Sequence, residues 1–327
     1  MNRRKWMLAA GGLVIAAAGS PIAFAEQKWP DKPVKLIVPF PPGGGTDTLS
    51  RTIADKLSKE KGWIFVVENR PGAGGNIGLD VVAKAAADGY TIGMGQTSNL
   101  AINPSLYPKL PFDPAKDFAP ITLVAEQAQV LVVSSKSPYK SLADLIKAAK
   151  ENKDGGLKVA LAGNGTVGHL AGELFERKAQ VKFLNVPYKG AGPAMIDLLS
   201  GQVDLYFGNT QAVIPQIAGG KLRALAVTSA KRVKSLPAIP TLAESGFPGF
   251  EAVSWSGLVA PAGTPQTIVE SINKEVNLLL KKPDVLERLS AEGSDPLGGS
   301  SRDYDALIKA ERSKWGNLIR EAGIKLE

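Results

Sequence analysis

The sequence predicts an α/β protein built as two lobes, and three observations carry that prediction. Apolar runs of strand length alternate with amphipathic stretches of helix length along most of the chain, the pattern of mainly parallel sheets covered on both faces. A strand, a glycine-rich loop and a helix start occur in succession twice, as VKLIVPFPPGGGTDTLS (34–50) and LKVALAGNGTVGHLAG (157–172), far enough apart to sit in different lobes. The 327 residues suffice for about two domains with separate cores, yet no Gly/Ser-rich tether divides them. Extended strands are therefore expected to cross between lobes, near 122–133 and again near 222–255, which leaves both chain ends in one discontinuous lobe. The expected division is 26–127 and 235–327 for the first lobe and 128–234 for the second.

Taken in order, 34–38 reads as a buried strand followed by a Gly/Pro loop. Leu49, Ile53, Ala54 and Leu57 then mark one face of a helix over 49–57. Strands follow at 63–67, 90–94 and 130–133. Ser141 and Asp144 have the spacing of a capping box at a helix start. The next strand, 157–162, precedes a helix carrying Leu170, Leu174 and Phe175, and 181–186 is a strand again. Pro193 suits a helix start, where its missing N–H costs nothing, and Gly201 suits the stop. Strands at 203–207 and 222–227 come next. Thr264-Pro265 opens a helix through Ile268, Ile272, Val276 and Leu279, and a last helix carries Leu307, Ile308, Trp315, Leu318 and Ile319.

The N-terminus has the grammar of a cleavable secretory signal. Arg3, Arg4 and Lys5 form a basic start, 7–18 is apolar and small, and Ala23-Phe24-Ala25 fits a cleavage site that leaves Glu26 first. The Arg3-Arg4 pair is also compatible with twin-arginine export. Removing residues 1–25 takes away three basic residues and lowers the net charge from +8 to +5. That balance suits steering of anions, while no dense Lys/Arg patch interleaved with aromatics points to nucleic acid. With no cysteine, thiolate metal sites and Cys nucleophiles are excluded, and a single histidine, His169, argues against a His-based zinc site or a Ser-His-Asp triad. No P-loop or G-x-S-x-G elbow occurs either. A chain so poor in catalytic parts reads as a binder, without metal or cofactor.

The segment Gly163-Asn164-Gly165-Thr166-Val167-Gly168 matches the G-x-G-x-x-G of dinucleotide cradles. A dinucleotide site also needs an acid about 20 residues on, at the end of the next strand. That strand, Val181-Lys182-Phe183-Leu184-Asn185-Val186, has none. What remains is the physics beneath the motif: glycines let the backbone approach a ligand, and unpaired N–H groups at a helix start favour an anion. One such loop is ordinarily only a tight turn. Two, in two lobes, could grip the two ends of a dicarboxylate, or one carboxylate between them.

Five segments in order, PFPPGGGTD (39–47), ENRPGAGGNIG (68–78), VPYKGAGPA (186–194), GKLRALAVTSAKR (220–232) and WSGLVAPAGTP (255–265), resemble the substrate-binding proteins of tripartite tricarboxylate transporters, the Bug or TctC-like receptors. The resemblance covers nearly all of the mature chain. It implies a type II periplasmic binding-protein fold, a monomer without cofactor or catalysis, closing on a small organic carboxylate and delivering it to a membrane permease. An exported sensor of the same fold is the alternative, and an enzyme is third. By motif, Gly44, Gly45 and Thr46 would offer donors from the first lobe and Gly163, Asn164, Gly165 and Thr166 from the second. Thr97 and Ser98 would line the wall, with Phe40 and Trp255 as apolar lining; ordinary packing is the other reading of Trp255. Asp47 could orient its loop, cap the helix or meet a ligand amine. His169 could donate to a carboxylate or lie on the surface. Where many relatives resemble F-D-N, this chain has Gly208 in FGNTQ, which favours a plain or aromatic carboxylate over an amino acid.

Overall fold

The computed structural model describes residues 29–152, 156–188, 190–291 and 293–325; the expected signal peptide lies outside them. The chain begins with β1 (Val34–Val38), α1 (Gly45–Lys61), β2 (Phe65–Asn69), α2 (Asn76–Ala83), β3 (Thr91–Gln96) and α3 (Asn103–Leu106). A long strand, β4 (Phe118–Ser134), leads to α4 (Leu142–Glu151), β5 (Leu157–Leu161), α5 (Val167–Ala179), β6 (Phe183–Pro187), α6 (Ala191–Ser200), β7 (Leu205–Asn209), α7 (Thr210–Ala218) and β8 (Leu222–Val227). The chain returns through β9 (Val253–Pro261) to α8 (Gln266–Leu279), α9 (Pro283–Ala291), β10 (Asp295–Pro296) and α10 (Ser301–Ala322).

The strands run in the order β2-β1-β3-β9-β4-β7-β5-β6, with β8 and β10 also pairing with β4. β1 pairs in parallel with β2 and β3, and β5 in parallel with β6 and β7. β9 lies antiparallel between β3 and β4. β4 belongs to both halves: Phe118 to Ala128 pair with β9, whereas Gln129 to Ser134 pair with β7 and β8. The outward crossing therefore changes sheet within β4. On the way back, residues 228–252 stay on the edge of β8. Leu242 N donates to Val227 O and Ala252 N to Thr228 O, both at 2.9 Å, and Arg232 pairs with Glu244. These bonds hold residues 228–252 beside β8 up to the start of β9, within the 222–255 stretch where the sequence places the return crossing.

The predicted caps form. Ser141 and Asp144 make the reciprocal capping box, and Gly201 ends α6 in the left-handed conformation. α2, α3, α7 and α9 have no counterpart in the sequence reading. In α7 the reason is plain: Pro215 sits inside the helix and ordinarily signals a break. Each lobe has its own core. Leu36, Ile53, Ile272 and Val276 in the first, and Val130, Val132, Leu198 and Val213 in the second, are at most 1% exposed. A third cluster runs beneath both, from Ile37 through Leu131 to Phe175 and Trp315. At about 1.5–3 kcal/mol per buried large apolar side chain, these cores outweigh any single polar contact in the site and hold its loops in place.

Candidate functional site at the strand ends between the lobes

Ligands of open α/β sheets bind beyond the carboxyl ends of the strands. Here the ends of β1 and β3 converge with those of β5 and β7. A Cβ built on Gly45, after β1, would lie 2.7 Å from Gln211 Oε1 on α7 and 3.1 Å from Gln127 Nε2 on β4. A Cβ on Gly165, after β5, would lie 2.0 Å from Leu106 Cδ2 on α3. The two glycine loops thus each reach the opposite lobe, and a side chain at either position would have to displace the end of a side chain there.

The first-lobe loop leaves a helix start open. Gly44 is the N-cap of α1 and no side chain caps its first turn, so the N–H groups of Gly45 and Thr46 have no intrahelical acceptor and carry the positive end of the helix dipole. Thr46 Oγ1 accepts from Gln96 Nε2, which also donates to Ser256 Oγ at 3.1 Å. Asp47 does not face the opening. It is 3% exposed and accepts from Gly43 N (2.9 Å), Arg51 Nε (3.0 Å) and Asn69 Nδ2 (2.9 Å). Burial opposes ionisation of this carboxyl, but the bonds from Arg51, Gly43 and Asn69 together hold it below its ordinary value. Asn69 Nδ2 also donates to Phe40 O, so the Asp47 cluster fixes the whole loop. The half-buried Phe40 ring lies over Gly75, before α2.

At the end of β3 the two expected wall residues divide. Thr97 is 1% exposed and its Oγ1 accepts from Trp255 N at 2.8 Å, stapling β3 to β9. Ser98 Oγ and Asn99 Nδ2 are buried and make no hydrogen bond within the described residues. Trp255, expected as cleft lining, is instead 1% exposed and packs edge-on against Tyr304 of α10, ring centroids 5.7 Å apart. Side chains alternate along a strand, so its neighbours Ser254 and Ser256 take the other face, where they meet Gln129 and Gln96.

The second-lobe loop is largely self-satisfied. Thr166 caps α5, accepting from His169 N (3.3 Å) and donating to Gly163 O (2.9 Å). Gly165 N–H donates to His169 Nδ1 at 3.0 Å. With Nδ1 accepting, the neutral ring carries its proton on Nε2, 3.6 Å from Glu173 Oε1. His169 is thus buried, with Nδ1 committed to its own loop. Beside this ring, Glu173 is held below its ordinary carboxylate value by His169 and Asn185, against the cost of burial. Asn164 and His169 line a cavity of about 280 Å³ that also reaches Glu173, Asn185 and Lys325. The open helix start in this lobe belongs to α6, whose N-cap Gly190 (φ 110°) brings no side-chain cap.

Sequence reasoning passed over the crossing strand. Gln127 and Gln129, two apart and so on one face of β4, sit at the feet of the two loops. Gln127 Nε2 lies near Gly45 and donates to Ser294 Oγ (2.8 Å); Gln129 Oε1 lies 3.6 Å from a Cβ on Gly168, and its Nε2 donates to Ser254 Oγ (3.2 Å). The signal was present, as two glutamines at alternate positions in a strand whose other residues are mostly apolar. Gly208 is closely packed: a Cβ would lie 2.5 Å from Tyr206 Cε1 and 2.6 Å from Val213 Cγ1.

Residues 49–324 match the family described as tripartite tricarboxylate transporter family receptor. BugT of Bordetella pertussis is 39% identical over 322 residues, 98% of each chain. An R. palustris protein solved with adipate superposes with a TM-score of 0.81 at 40% identity, covering 91% of this chain and all of that one. MatC from Rhodopseudomonas palustris with bound malate superposes at 0.75 and 34% identity, covering 89% of this chain and all of that one. With its two-lobed type II fold, the chain belongs to the tripartite tricarboxylate transporter receptors, a family of periplasmic solute-binding proteins.

Proposed function

We propose that this chain captures a small organic carboxylate between its lobes, closes on it, and delivers it to the membrane subunits of a tripartite tricarboxylate-type transporter. The observation that carries the reading is the uncapped first turn of α1, whose backbone at Gly44 to Thr46 opens toward Gln211 and Gln127. A helix start of this kind presents about half a positive charge and several N–H donors. The loop segments 39–46 and 162–168 contain no Lys or Arg, so the anion is met by dipoles and amides rather than by an ion pair. Ser98 Oγ and Asn99 Nδ2 add a hydroxyl and an amide N–H without a partner among the described residues. One carboxylate sits at α1, and a second finds donors at the start of α6. The absence of an acid at Gly208 removes a partner for a ligand amine, which favours plain carboxylates. The adipate and malate bound by two similar proteins are of that class. Contacts to both lobes favour the closed arrangement, which makes closure the consequence of binding.

Thermal denaturation with adipate, malate, citrate and benzoate tests this. At a hundredfold excess over Kd, a ligand adds about 2.7 kcal/mol, which raises the melting temperature by roughly 5 °C in a chain of this size. At least one of the four is expected to do so, and NAD is not. Thr46→Glu places a negative charge at the helix start and is expected to remove the shift while leaving the unliganded melting temperature nearly unchanged. No shift with any carboxylate, or a full shift in Thr46→Glu, overturns the reading.

A further inference from the structure

Away from the cleft, α3 crosses α10 at a close contact: a Cβ on Gly316 would lie 2.8 Å from Ser105 Oγ. A groove opens on each side of this crossing, of about 450 and 540 Å³, and the two share Ser105 and Arg320. Lys309, Arg312, Arg320 and Lys325 line them, and no Asp or Glu among the described residues does. Lys309 pairs with Asp305 on its own helix. Arg312, Arg320 and Lys325 form no salt bridge among the described residues. The groove that holds Arg320 and Lys325 is lined by Tyr107, Ile319 and Ile324, and the adjoining one, which shares Arg320, holds Lys309 and Arg312 among Ser313 and Asn317. A row of cations beside an apolar groove is complementary to a segment that carries carboxylates around an apolar side chain.

The groove also sits at the seam between the lobes. Leu106, in its α3 wall, abuts the Gly165 loop of the second lobe. Near the end of α10, its other wall, Glu321 pairs with Arg177 of α5 at 2.6 Å. Gly323, Ile324 and Lys325 border both this groove and the cavity beside Asn164 and His169. Movement of the second lobe therefore bears on both walls.

We propose that this groove docks an acidic segment of a protein partner, its carboxylates meeting Arg312, Arg320 and Lys325 and one apolar side chain seating between Tyr107 and Ile324. The inference rests on the reading of the chain as a receptor that hands its ligand on. Because the walls contact the second lobe, the docked segment discriminates the closed from the open receptor.

The test uses the full chain and a fluorescein-labelled peptide of alternating glutamate and leucine, followed by anisotropy with and without adipate. Binding is expected, weakening by about tenfold between low and physiological salt. It is expected to fall by at least about tenfold in the Arg312→Glu/Arg320→Glu double variant, which keeps its melting temperature and its adipate shift. Equal binding of a lysine-leucine peptide, unchanged binding by the double variant, or capture by phosphatidylglycerol vesicles in place of the peptide overturns the proposal. So does loss of the adipate shift in the double variant, which would make these arginines part of the cleft. A wild-type chain that binds the peptide but shifts with no carboxylate counts against the receptor reading alone.

Discussion

Asp47 is an acid beside a helix start that otherwise suits an anion, and its environment resolves the conflict. Three donors consume its oxygens, and its charge is spent on Arg51 and on the loop that presents Gly44 to Thr46. Its folded-state pKa is lowered, so the stability it contributes is fully present above its ordinary value of 3.8 and is lost as pH falls through the lower folded value. Asp47→Asn turns one acceptor into a donor facing Gly43 N–H and removes the charge opposite Arg51. A loss of about 1.5–3 kcal/mol at neutral pH is expected from hydrogen bonds to a charged group, measured by urea unfolding. The gap between variant and wild type should close in acid; a constant gap from pH 7 to pH 3 would show that the carboxylate charge is not what matters. At this scale the sequence named a residue that matters but left open which of three roles it plays, because the roles differ only in what lies across space.

Among elements, the two strand–loop–helix units look alike in sequence and differ in use. α1 begins uncapped, whereas α5 is closed by Thr166 and His169, so its loop is rigid rather than open. Gly165 is the pivot of that rigidity. Its φ of 74° is a conformation that costs an L-residue about 1–2 kcal/mol, and a Cβ there would have to displace the end of the Leu106 side chain of the other lobe. Gly165→Ala is expected to push the lobes apart as well as strain the turn. Carboxylate affinity should weaken by about tenfold or more, on the scale of 1.4 kcal/mol per decade, while α5 and the second-lobe core keep their structure by circular dichroism. Unchanged affinity would remove the Gly165–Leu106 contact from any part in closure. β4 illustrates the converse: its length and its two glutamines are what join the units, and a 17-residue strand read from sequence only over 130–133 hides both.

For the molecule as a whole, the crossing strands carry a titratable group as well as the connection between lobes. Glu126 on β4 pairs in register with Trp255 on β9 and Asp295 on β10. Burial, reinforced by Glu251, Asp295 and Glu311, pushes its carboxyl up to about 7. The sign follows from proton binding: between its ordinary value of 4.5 and about 7 the folded chain holds this proton more tightly than the unfolded one. Stability from this group is therefore full below 4.5 and is lost as pH rises through about 7. Lys234 near Asp295 and Lys314 bound to Glu311 moderate the surrounding charge without reversing it. Glu126→Gln is expected to flatten the decline of melting temperature between pH 5 and pH 8, and to be the more stable protein at the upper end. Parallel curves for variant and wild type would show that Glu126 titrates as an ordinary carboxylate.

By itself the sequence determined the alternation of strands and helices, the two glycine loops and the family. All of these rest on local regularities: periodicity, turn chemistry and the backbone freedom of glycine act over a few residues and can be read in order. Which donors stay open was decided only by tertiary structure. Thr97 is spent on Trp255, 158 residues away, Trp255 turns to α10, His169 turns back on its own loop, and Gln127 and Gln129 arrive beneath loops that neither adjoins in sequence. A hydrogen-bonding group is available to a ligand only if nothing else in the fold has already used it, and that is a property of distant neighbours, which no local pattern records.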